Sequence, residues 1–277
     1  MNLYNLNNNK YIKRKTKKSL SFLYNTVFGR IILKIACTKI IANIYSKFMN
    51  SKFSKYKIKR FIKKNNIDMS EYIKKDYKSF NDFFIRKIKH NKRKIDNGII
   101  AVCDSKVSAY EIDNNSKFKI KNSIYTVEEL LKEKVKTKYK YAIIFRLDVD
   151  DYHHYIFPDD GYIVNTKYVN GILHTVQPIS QKKYKVFLEN SRSITNLKCK
   201  SLGNVCYIEV GAMMIGKIVN NNLVNFKKGD EKGHFEFGGS TIVLLIEKNI
   251  KLDKRILNNT KKEIETIVKL GNKIGDI

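Results

Sequence analysis

An unbroken apolar run at residues 242–246 lies near the carboxyl end and directly follows Gly238-Gly239-Ser240-Thr241. A glycine turn before five β-branched or leucine residues predicts a buried strand. Glycine also lets the backbone enter conformations that side chains forbid, so the Ser240 hydroxyl could approach the carbonyl carbon of Gly239. The segment is therefore either a turn into a strand or a serine that attacks its own chain. By itself it favours the turn.

Beyond residue 79 the pattern favours strands over helices. Short β-branched or aromatic runs are separated by Gly, Asn and Asp, as expected for an antiparallel β core. One helix is predicted at residues 126–136, with Thr126 as N-cap and Glu129 as its capping-box partner, and a short C-terminal helix at residues 261–270. The predicted strands are residues 99–102, 107–112, 141–147, 162–168, 205–210 and 241–247.

The chain changes character near residue 78. Apolar residues recur at helical spacing over residues 20–48, interrupted by basic residues, and a second basic stretch covers residues 52–64. The predicted fold class is therefore α+β, with N-terminal basic amphipathic helices on a largely antiparallel β core. The predicted division is residues 1–78, a basic helical membrane-associating region, and residues 79–277, a catalytic β-rich domain.

The helical region has two readings that the sequence leaves open. The helices could cover the core and turn their lysines to water, or they could dock on an anionic membrane surface, where each lysine contributes about 1 kcal/mol. The chain carries 55 Lys and Arg against 26 Asp and Glu, a formal net charge of +29 that attracts polyanions without naming one. No apolar stretch reaches the roughly twenty residues that a membrane span requires.

The hydrophobic share of 43% and the aromatic share of 12% exclude a disordered tail. The cysteines are scattered and show no metal-binding spacing, so no metal site is predicted. With no secretory leader visible, reduced thiols in a cytosolic setting are expected and a disulfide framework is not. The four cysteines are Cys37, Cys103, Cys199 and Cys206.

Three further segments carry candidate chemistry. Asp104 follows an apolar run, where an acidic residue usually caps a turn. His153 and His154 are two of only five histidines, although a histidine near a strand is usually structural. His174 lies in a predicted strand and turn and, alone, is no more than a polar edge residue.

Taken together with Gly239-Ser240, these segments resemble the phosphatidylserine decarboxylase proenzymes, a family of pyruvoyl-dependent lipid enzymes. Many short matches in the right order are far stronger than any one of them. They are Leu23-Tyr24-Asn25-Thr26 with Gly29-Arg30, Phe80-Asn81-Asp82-Phe83-Phe84 with Arg86-Lys87, Cys103-Asp104-Ser105-Lys106-Val107-Ser108-Ala109-Tyr110, Asp151-Tyr152-His153, Leu173-His174-Thr175-Val176, Glu189-Asn190-Ser191-Arg192, Val210-Gly211-Ala212-Met213-Met214-Ile215-Gly216-Lys217-Ile218, and Glu231-Lys232-Gly233-His234-Phe235 before Gly238-Gly239-Ser240-Thr241.

The resemblance implies a charge relay for self-cleavage made of Asp104, His153 and Ser240. His153 would take the Ser240 proton, and Asp104 would fix the tautomer of His153 and stabilise its imidazolium. Cleavage between Gly239 and Ser240 would give a β chain, residues 1–239, and an α chain, residues 240–277. The cofactor would be a pyruvoyl group made from Ser240, which binds the substrate amine as a Schiff base and accepts the electrons left by decarboxylation.

The implied partners are the phosphatidylserine substrate and an anionic phospholipid membrane, with the enzyme peripheral on the cytoplasmic face of the cell membrane. The two chains would form a heterodimer, with a higher oligomer left open, and no nucleic acid is expected. The sequence departs from the family pattern at Ile156, where many members carry a second histidine. His154, His174 or His234 could replace it. Further departures are Gln177 and Cys103.

Two other classes use the same residues. A nucleic-acid-binding module would use the basic surface, but no helix-turn-helix, zinc-finger or RNP-like motif accompanies it. A plain serine hydrolase would employ Ser240, His153 and Asp104, yet its nucleophile normally sits in a GxSxG elbow, and here the trailing glycine is missing. Both alternatives predict that the chain stays uncleaved at 32.4 kDa.

Overall fold

The structure, a computed structural model, describes residues 2–14, 18–113, 115–120, 123–213, 217–237 and 240–277. Its strands are β1 (Asn2–Asn5), β2 (Lys10–Lys13), β3 (Ile99–Ile100), β4 (Ser105–Glu111), β5 (Lys117–Ile120), β6 (Ser123–Thr126), β7 (Tyr141–Leu147), β8 (His154–Ile156), β9 (Gly161–Val169), β10 (Arg192–Cys199), β11 (Gly203–Val210), β12 (Ile218–Asn220), β13 (Asn225–Phe226), β14 (Glu231–Phe235), β15 (Ser240–Ile246), β16 (Lys251–Leu252), β17 (Glu265–Val268) and β18 (Lys273–Asp276).

The helices alternate with these strands only in part, because five of the described α-helices lie between β2 and β3. The α-helices are α1 (Lys18–Asn25), α2 (Val27–Ala36), α3 (Lys39–Asn50), α4 (Lys57–Asn65), α5 (Phe80–Phe84), α6 (Val127–Leu131), α7 (Pro178–Gln181), α8 (Val186–Glu189) and α9 (Lys254–Lys261), and short 3-10 helices cover Lys52–Tyr56 and Met69–Glu71.

A ten-stranded sheet forms the centre of the molecule, in the order β13-β9-β10-β11-β15-β7-β4-β17-β1-β2. Its neighbouring strands pair antiparallel except β1 with β17, which are parallel. The α+β fold class with a largely antiparallel core is therefore confirmed.

Both faces of this sheet are covered at β15. Ile242, Leu244 and Ile246 join one core cluster, while Val243 and Leu245 join another. Successive strand residues point to opposite faces, so a strand covered on both sides reads as a continuous apolar run. This explains why residues 242–246 show no alternation, and it confirms the predicted buried strand.

A small sheet of order β12-β14-β8 lies beside the large one. In it, His234 of β14 is directly opposite His154 of β8. The register shifts between Glu231 and Gly233, which is the mark of a β-bulge. The pairing of β8 with β14 places the segment that contains His153 beside the chain that leads into β15.

Helices α1–α3 confirm the helical periodicity of residues 20–48, with breaks where threonines cap the next helix. The Thr26 hydroxyl accepts from Gly29 N, and Thr38 accepts from Ile41 N, as expected of N-caps. Residues 2–13 instead form β1 and β2, which extend the large sheet. The division near residue 78 stays a prediction. In the described chain, no helix combines the length and apolar character needed to cross a bilayer.

Two predicted helices have different bounds in the structure. The capping box of Thr126 and Glu129 is confirmed, but α6 ends at Leu131 because Lys132 turns left-handed at φ 50°. The helix predicted at residues 261–270 is misplaced. Helix α9 covers Lys254–Lys261, after its N-cap Asp253, and the chain leaves the helical conformation before Glu263, where φ is 56°. The following residues form β17, where β-branched Thr266, Ile267 and Val268 favour a strand and the segment pairs with β4 and β1.

Candidate active site

His153 lies immediately before β8 and is completely buried. Its Nδ1 is 2.8 Å from the carbonyl oxygen of Asp151. A carbonyl only accepts, so Nδ1 carries the proton and Nε2 presents a lone pair. Nε2 is buried without a hydrogen-bond partner among the described residues. Burial, and then the positive charge of Arg86, lowers the pKa of His153 to about 3, so the imidazole is neutral at pH 7.

Ser240 is the first residue of β15 and is also completely buried. Its Oγ has no hydrogen-bond partner within the described ranges. Strand alternation places Ser240 on the same face as Ile242 and Leu244, whose core cluster also includes Tyr152 and Tyr155 on either side of His153. Leaving such a hydroxyl unpaired costs about 1–3 kcal/mol, which is typical of a functional group rather than a packing residue.

The chain that enters β15 passes directly alongside His153. Phe235 N donates to the His153 carbonyl at 3.0 Å. The ring of Phe84 packs 4.1 Å from the His153 ring and 5.1 Å from the ring of Phe237. Asn81 Oδ1 accepts from Phe237 N at 2.9 Å, which fixes this approach. The predicted cleavage position Gly239 lies outside the described residues, and within those residues no hydrogen bond joins His153 to Ser240.

Asp104 is buried but is held by other partners. Its oxygens accept from Arg93 at 3.0 and 2.8 Å, from Lys269 Nζ at 3.1 Å and from Leu270 N at 2.8 Å. Burial acts to raise the pKa of Asp104, but these hydrogen bonds and cations outweigh it and lower the pKa. Within the described ranges, the hydrogen bonds of Asp104 do not reach His153, whose tautomer is set by the Asp151 carbonyl.

Sequence reasoning missed the network that holds this carbonyl. The Asp151 carboxylate accepts from Asp148 N at 2.7 Å and from Lys106 Nζ at 2.6 Å. Lys106 also lies 3.1 Å from Asp148, which Arg146 contacts in turn at 2.5 Å. Burial raises the pKa of Asp151 to about 6 despite the adjacent ammonium. The available signal was the cluster of acidic residues just after β7 in a strongly basic chain.

Ile156 has no titratable group, and its side chain packs in the apolar core. The three candidates for the missing histidine lie in two places. His154 and His234 stack at 5.0 Å beside the His153 segment. His174 instead contacts Tyr24 Oη at 3.3 Å and stacks on Tyr184 at 4.1 Å, where the N-terminal helices meet the body.

Comparisons with known proteins identify the family of the chain. The phosphatidylserine decarboxylase family model matches residues 80–276. A phosphatidylserine decarboxylase proenzyme 2 from Clostridium acetobutylicum is 53% identical, covering 96% of this chain and 94% of its own length. Proenzymes from Fusobacterium nucleatum and Clostridium tetani are each 40% identical, covering 96% of this chain and 97% of their own lengths.

A buried serine at the start of β15 and a buried, neutral histidine just before β8 fit a self-processing enzyme of the α+β class. The chain belongs to the phosphatidylserine decarboxylase family. This confirms the resemblance drawn from the sequence and the prediction of a decarboxylase, a lyase of phospholipid biosynthesis. A pyruvoyl group, which the family implies, fits position 240 because that residue is a serine whose buried hydroxyl has no hydrogen-bond partner in the described part of the chain.

Proposed function

We propose that the chain cleaves itself between Gly239 and Ser240 and then decarboxylates phosphatidylserine to phosphatidylethanolamine. The Ser240 oxygen attacks the Gly239 carbonyl carbon while its proton passes to Nε2 of His153. The C–N bond breaks, the proton goes to the Ser240 nitrogen, and an ester links the two parts. Elimination removes the α-proton of residue 240 to a base and breaks its Cβ–O bond, which releases residues 1–239 as a carboxylate. The dehydroalanine left at position 240 tautomerises to an imine, and water hydrolyses this to a pyruvoyl group and ammonia.

The observation that carries the proposal is a pair of buried atoms, Ser240 Oγ and His153 Nε2, that have no hydrogen-bond partner among the residues that the structure describes. The Asp151 carbonyl holds Nδ1–H, so the lone pair of Nε2 is available for the Ser240 proton. Phe84 packs against the His153 ring and limits its rotation. A plain serine hydrolase uses the same pair but keeps an unbroken chain.

In the decarboxylation, the pyruvoyl group supplies the electron sink that no ordinary side chain provides. The chain's own contribution is the burial of position 240, which excludes water, and Nε2 of His153, whose lone pair can take a proton from the substrate ammonium and give it back later. That atom is the group we assign to protonating the α-carbon after carbon dioxide leaves. His154, His174 and His234 are alternatives for this second step, because Ile156 carries no proton.

Mass spectrometry of the purified chain tests self-cleavage. We expect fragments of residues 1–239 and 240–277, the smaller one blocked at its amino end and labelled by borohydride reduction. Ser240→Ala should leave one inactive chain of 32.4 kDa. Thr241→Ala is the matched control, since Thr241 is equally buried and unpartnered but lies on the other face of β15. An uncleaved wild-type chain that still releases carbon dioxide from phosphatidylserine would refute the proposal.

Asp104 completes the proposed relay, although its carboxylate is paired with Arg93 and Lys269. Reaching His153 requires a change of these partners during the reaction. His153→Ala should block cleavage, and Asp104→Asn should slow it if the carboxylate stabilises the imidazolium. If Asp104→Asn cleaves at the wild-type rate while His153→Ala does not, the Asp151 carbonyl alone orients the base.

The N-terminal helices provide the proposed membrane contact. On α2, Leu33 packs against the body, while Val27, Phe28, Ile31 and Ile35 are exposed beside basic residues. This surface fits an anionic bilayer, which attracts the cations and buries the apolar side chains. It supports a peripheral enzyme on the cytoplasmic face of the membrane. Co-sedimentation with vesicles should increase with anionic lipid and decrease with salt, and indifference to lipid charge would favour core covering alone.

A further inference from the structure

We propose that His154, Glu231 and His234 form a binding site for a divalent transition-metal ion, with zinc as the best fit. Their three ligand atoms all lie within 4.8 Å of one another. Two histidines and one glutamate, with a fourth position open to water, are a common donor set for zinc in proteins. The sequence predicts no metal site, because these ligands come from two separate strands.

The orientation of His154 is the first argument. Its Nε2 is 3.1 Å from the carbonyl oxygen of Ile85, so Nε2 carries the proton and donates it. Nδ1 then presents a lone pair. A backbone carbonyl bound to the far nitrogen is the usual second partner of a metal-binding histidine, because it fixes the ring and its tautomer.

The surroundings of that lone pair are the second argument. His154 is 97% buried, since only 3% of its surface is exposed, and Nδ1 has no hydrogen-bond partner in the described chain. It lies 3.1 Å from Glu231 Oε1 without the alignment of a hydrogen bond. When His154 is neutral these two acceptors repel each other, and either a proton on Nδ1 or a shared cation relieves the repulsion. Two ligands of one tetrahedral zinc ion are about 3.3 Å apart, close to the separation seen here. A cation between them removes the repulsion.

The β-bulge in β14 is the third argument. Glu231 and His234 are three residues apart, so a regular strand would direct them to opposite faces. The register shift between Glu231 and Gly233 brings both to the face of His154. His234 is half-buried and stacks on His154, so a small rotation of its ring closes the site.

One neighbouring charge opposes a metal. Lys87 Nζ lies 3.8 Å from Glu231 Oε2 and competes with the ion for this carboxylate. Lys87 is largely exposed, so its ammonium can move into water when the ion enters. A bound ion would add a side-chain link between β8 and β14, close to the hydrogen bond from Phe235 N to the His153 carbonyl.

The test is a titration of the whole purified chain, with any polyhistidine tag removed, with zinc chloride and with cobalt chloride. We expect one ion per chain with at least micromolar affinity, a higher melting temperature with zinc, and visible cobalt bands of a tetrahedral site with histidine nitrogens. Weaker binding, or an octahedral all-oxygen cobalt spectrum, overturns the proposal without the need for any variant.

Variants then locate the ion. Glu231→Gln and His234→Asn should each bind zinc more than about 100-fold more weakly. Removing a residue that only hydrogen-bonds to a metal ligand typically weakens binding by about 10–100-fold, and removing the ligand itself should cost more. His90→Asn is the control, because His90 is exposed and outside the cluster. Lys87→Gln should strengthen binding. Binding that survives both ligand substitutions places the ion elsewhere and overturns the assignment.

Discussion

The backbone carbonyl of Asp151 accepts a hydrogen bond from Nδ1 of His153 at 2.8 Å. The side chain of Asp151 fixes the same turn, because it accepts from Asp148 N and Lys106 Nζ. The orientation of the proposed base therefore depends on a buried ion pair two residues away. Neither oxygen of Asp104 takes part in it.

Lys106→Met is expected to destabilise the protein and to slow cleavage. The substitution leaves the buried carboxylates of Asp148 and Asp151 without their shared ammonium, which typically costs about 3–5 kcal/mol. The measurement is urea unfolding in a Ser240→Ala background, so that every variant is a single chain. Lys251→Met, at an exposed lysine of β16, is the control and should stay within about 0.5 kcal/mol of its parent. Equal stability of the two variants would contradict the role of this network.

Asp104 is expected to contribute stability that depends on pH. Its folded-state pKa is lowered, so the contribution is present above the unfolded pKa of about 3.9 and is lost as pH falls through the folded value. The difference in unfolding free energy between Ser240→Ala and Ser240→Ala with Asp104→Asn should be largest near neutral pH. It should shrink as pH falls below about 4. A difference that is constant from pH 7 to pH 3 would show that the ion pairs with Arg93 and Lys269 contribute nothing.

Lys232 of β14 and Glu209 of β11 form a second buried ion pair, which joins the small sheet to the large one. Both side chains are almost completely buried, and Lys232 Nζ also lies 4.9 Å from the ring centroid of Tyr207. Lys232→Met should cost about 3–5 kcal/mol because it leaves a buried carboxylate alone. Adding Glu209→Leu should recover most of that loss, as a double-mutant cycle would measure. No recovery would mean that the lysine acts through packing on Tyr207 and not through the carboxylate.

The exposed apolar residues of α2 are expected to affect membrane binding without affecting stability. Val27→Ser and Ile31→Ser should each weaken partitioning into anionic vesicles by about tenfold, the effect of losing 1.5 kcal/mol of apolar burial. The melting temperature in solution should not change, since both side chains are more than half exposed. Ile124→Ser, at an exposed position of β6, is the control. Equal vesicle binding by all three variants would exclude α2 as the contact.

Much of the fold could be read from local patterns. Three local patterns are confirmed: the apolar run at residues 242–246, the helical spacing over residues 20–48 and the capping box at Thr126. Each depends on interactions between residues that are close in the sequence. The C-terminal helix was misplaced. Glu265–Val268 contains three β-branched residues, a local strand signal that the helical prediction overlooked, and its pairing with β4 and β1 is the part that the local sequence does not show.

The candidate site divides in the same way. The residue types at positions 104, 153 and 240 were found through the family resemblance, and the structure places all three in buried positions. Which of them touch was not predictable. Asp104 pairs with Arg93 and Lys269, and a backbone carbonyl takes the place expected for its carboxylate. Since every residue carries a backbone carbonyl, no side-chain pattern identifies that partner.

The amino-acid sequence alone determined the family, the α+β class and the serine and histidine proposed for self-cleavage, because motif order and hydrophobic periodicity are properties of the chain itself. Only the tertiary structure decided that Asp151 orients His153, that Lys106 supports it, and that a bulge turns Glu231 toward His154 and His234. The contacts of Lys106 and Glu231 join segments that are distant in the sequence, so they exist only once long-range packing has brought those segments together. Asp151 and His153 are only two residues apart, but the turn that joins them is held by the Lys106 contact.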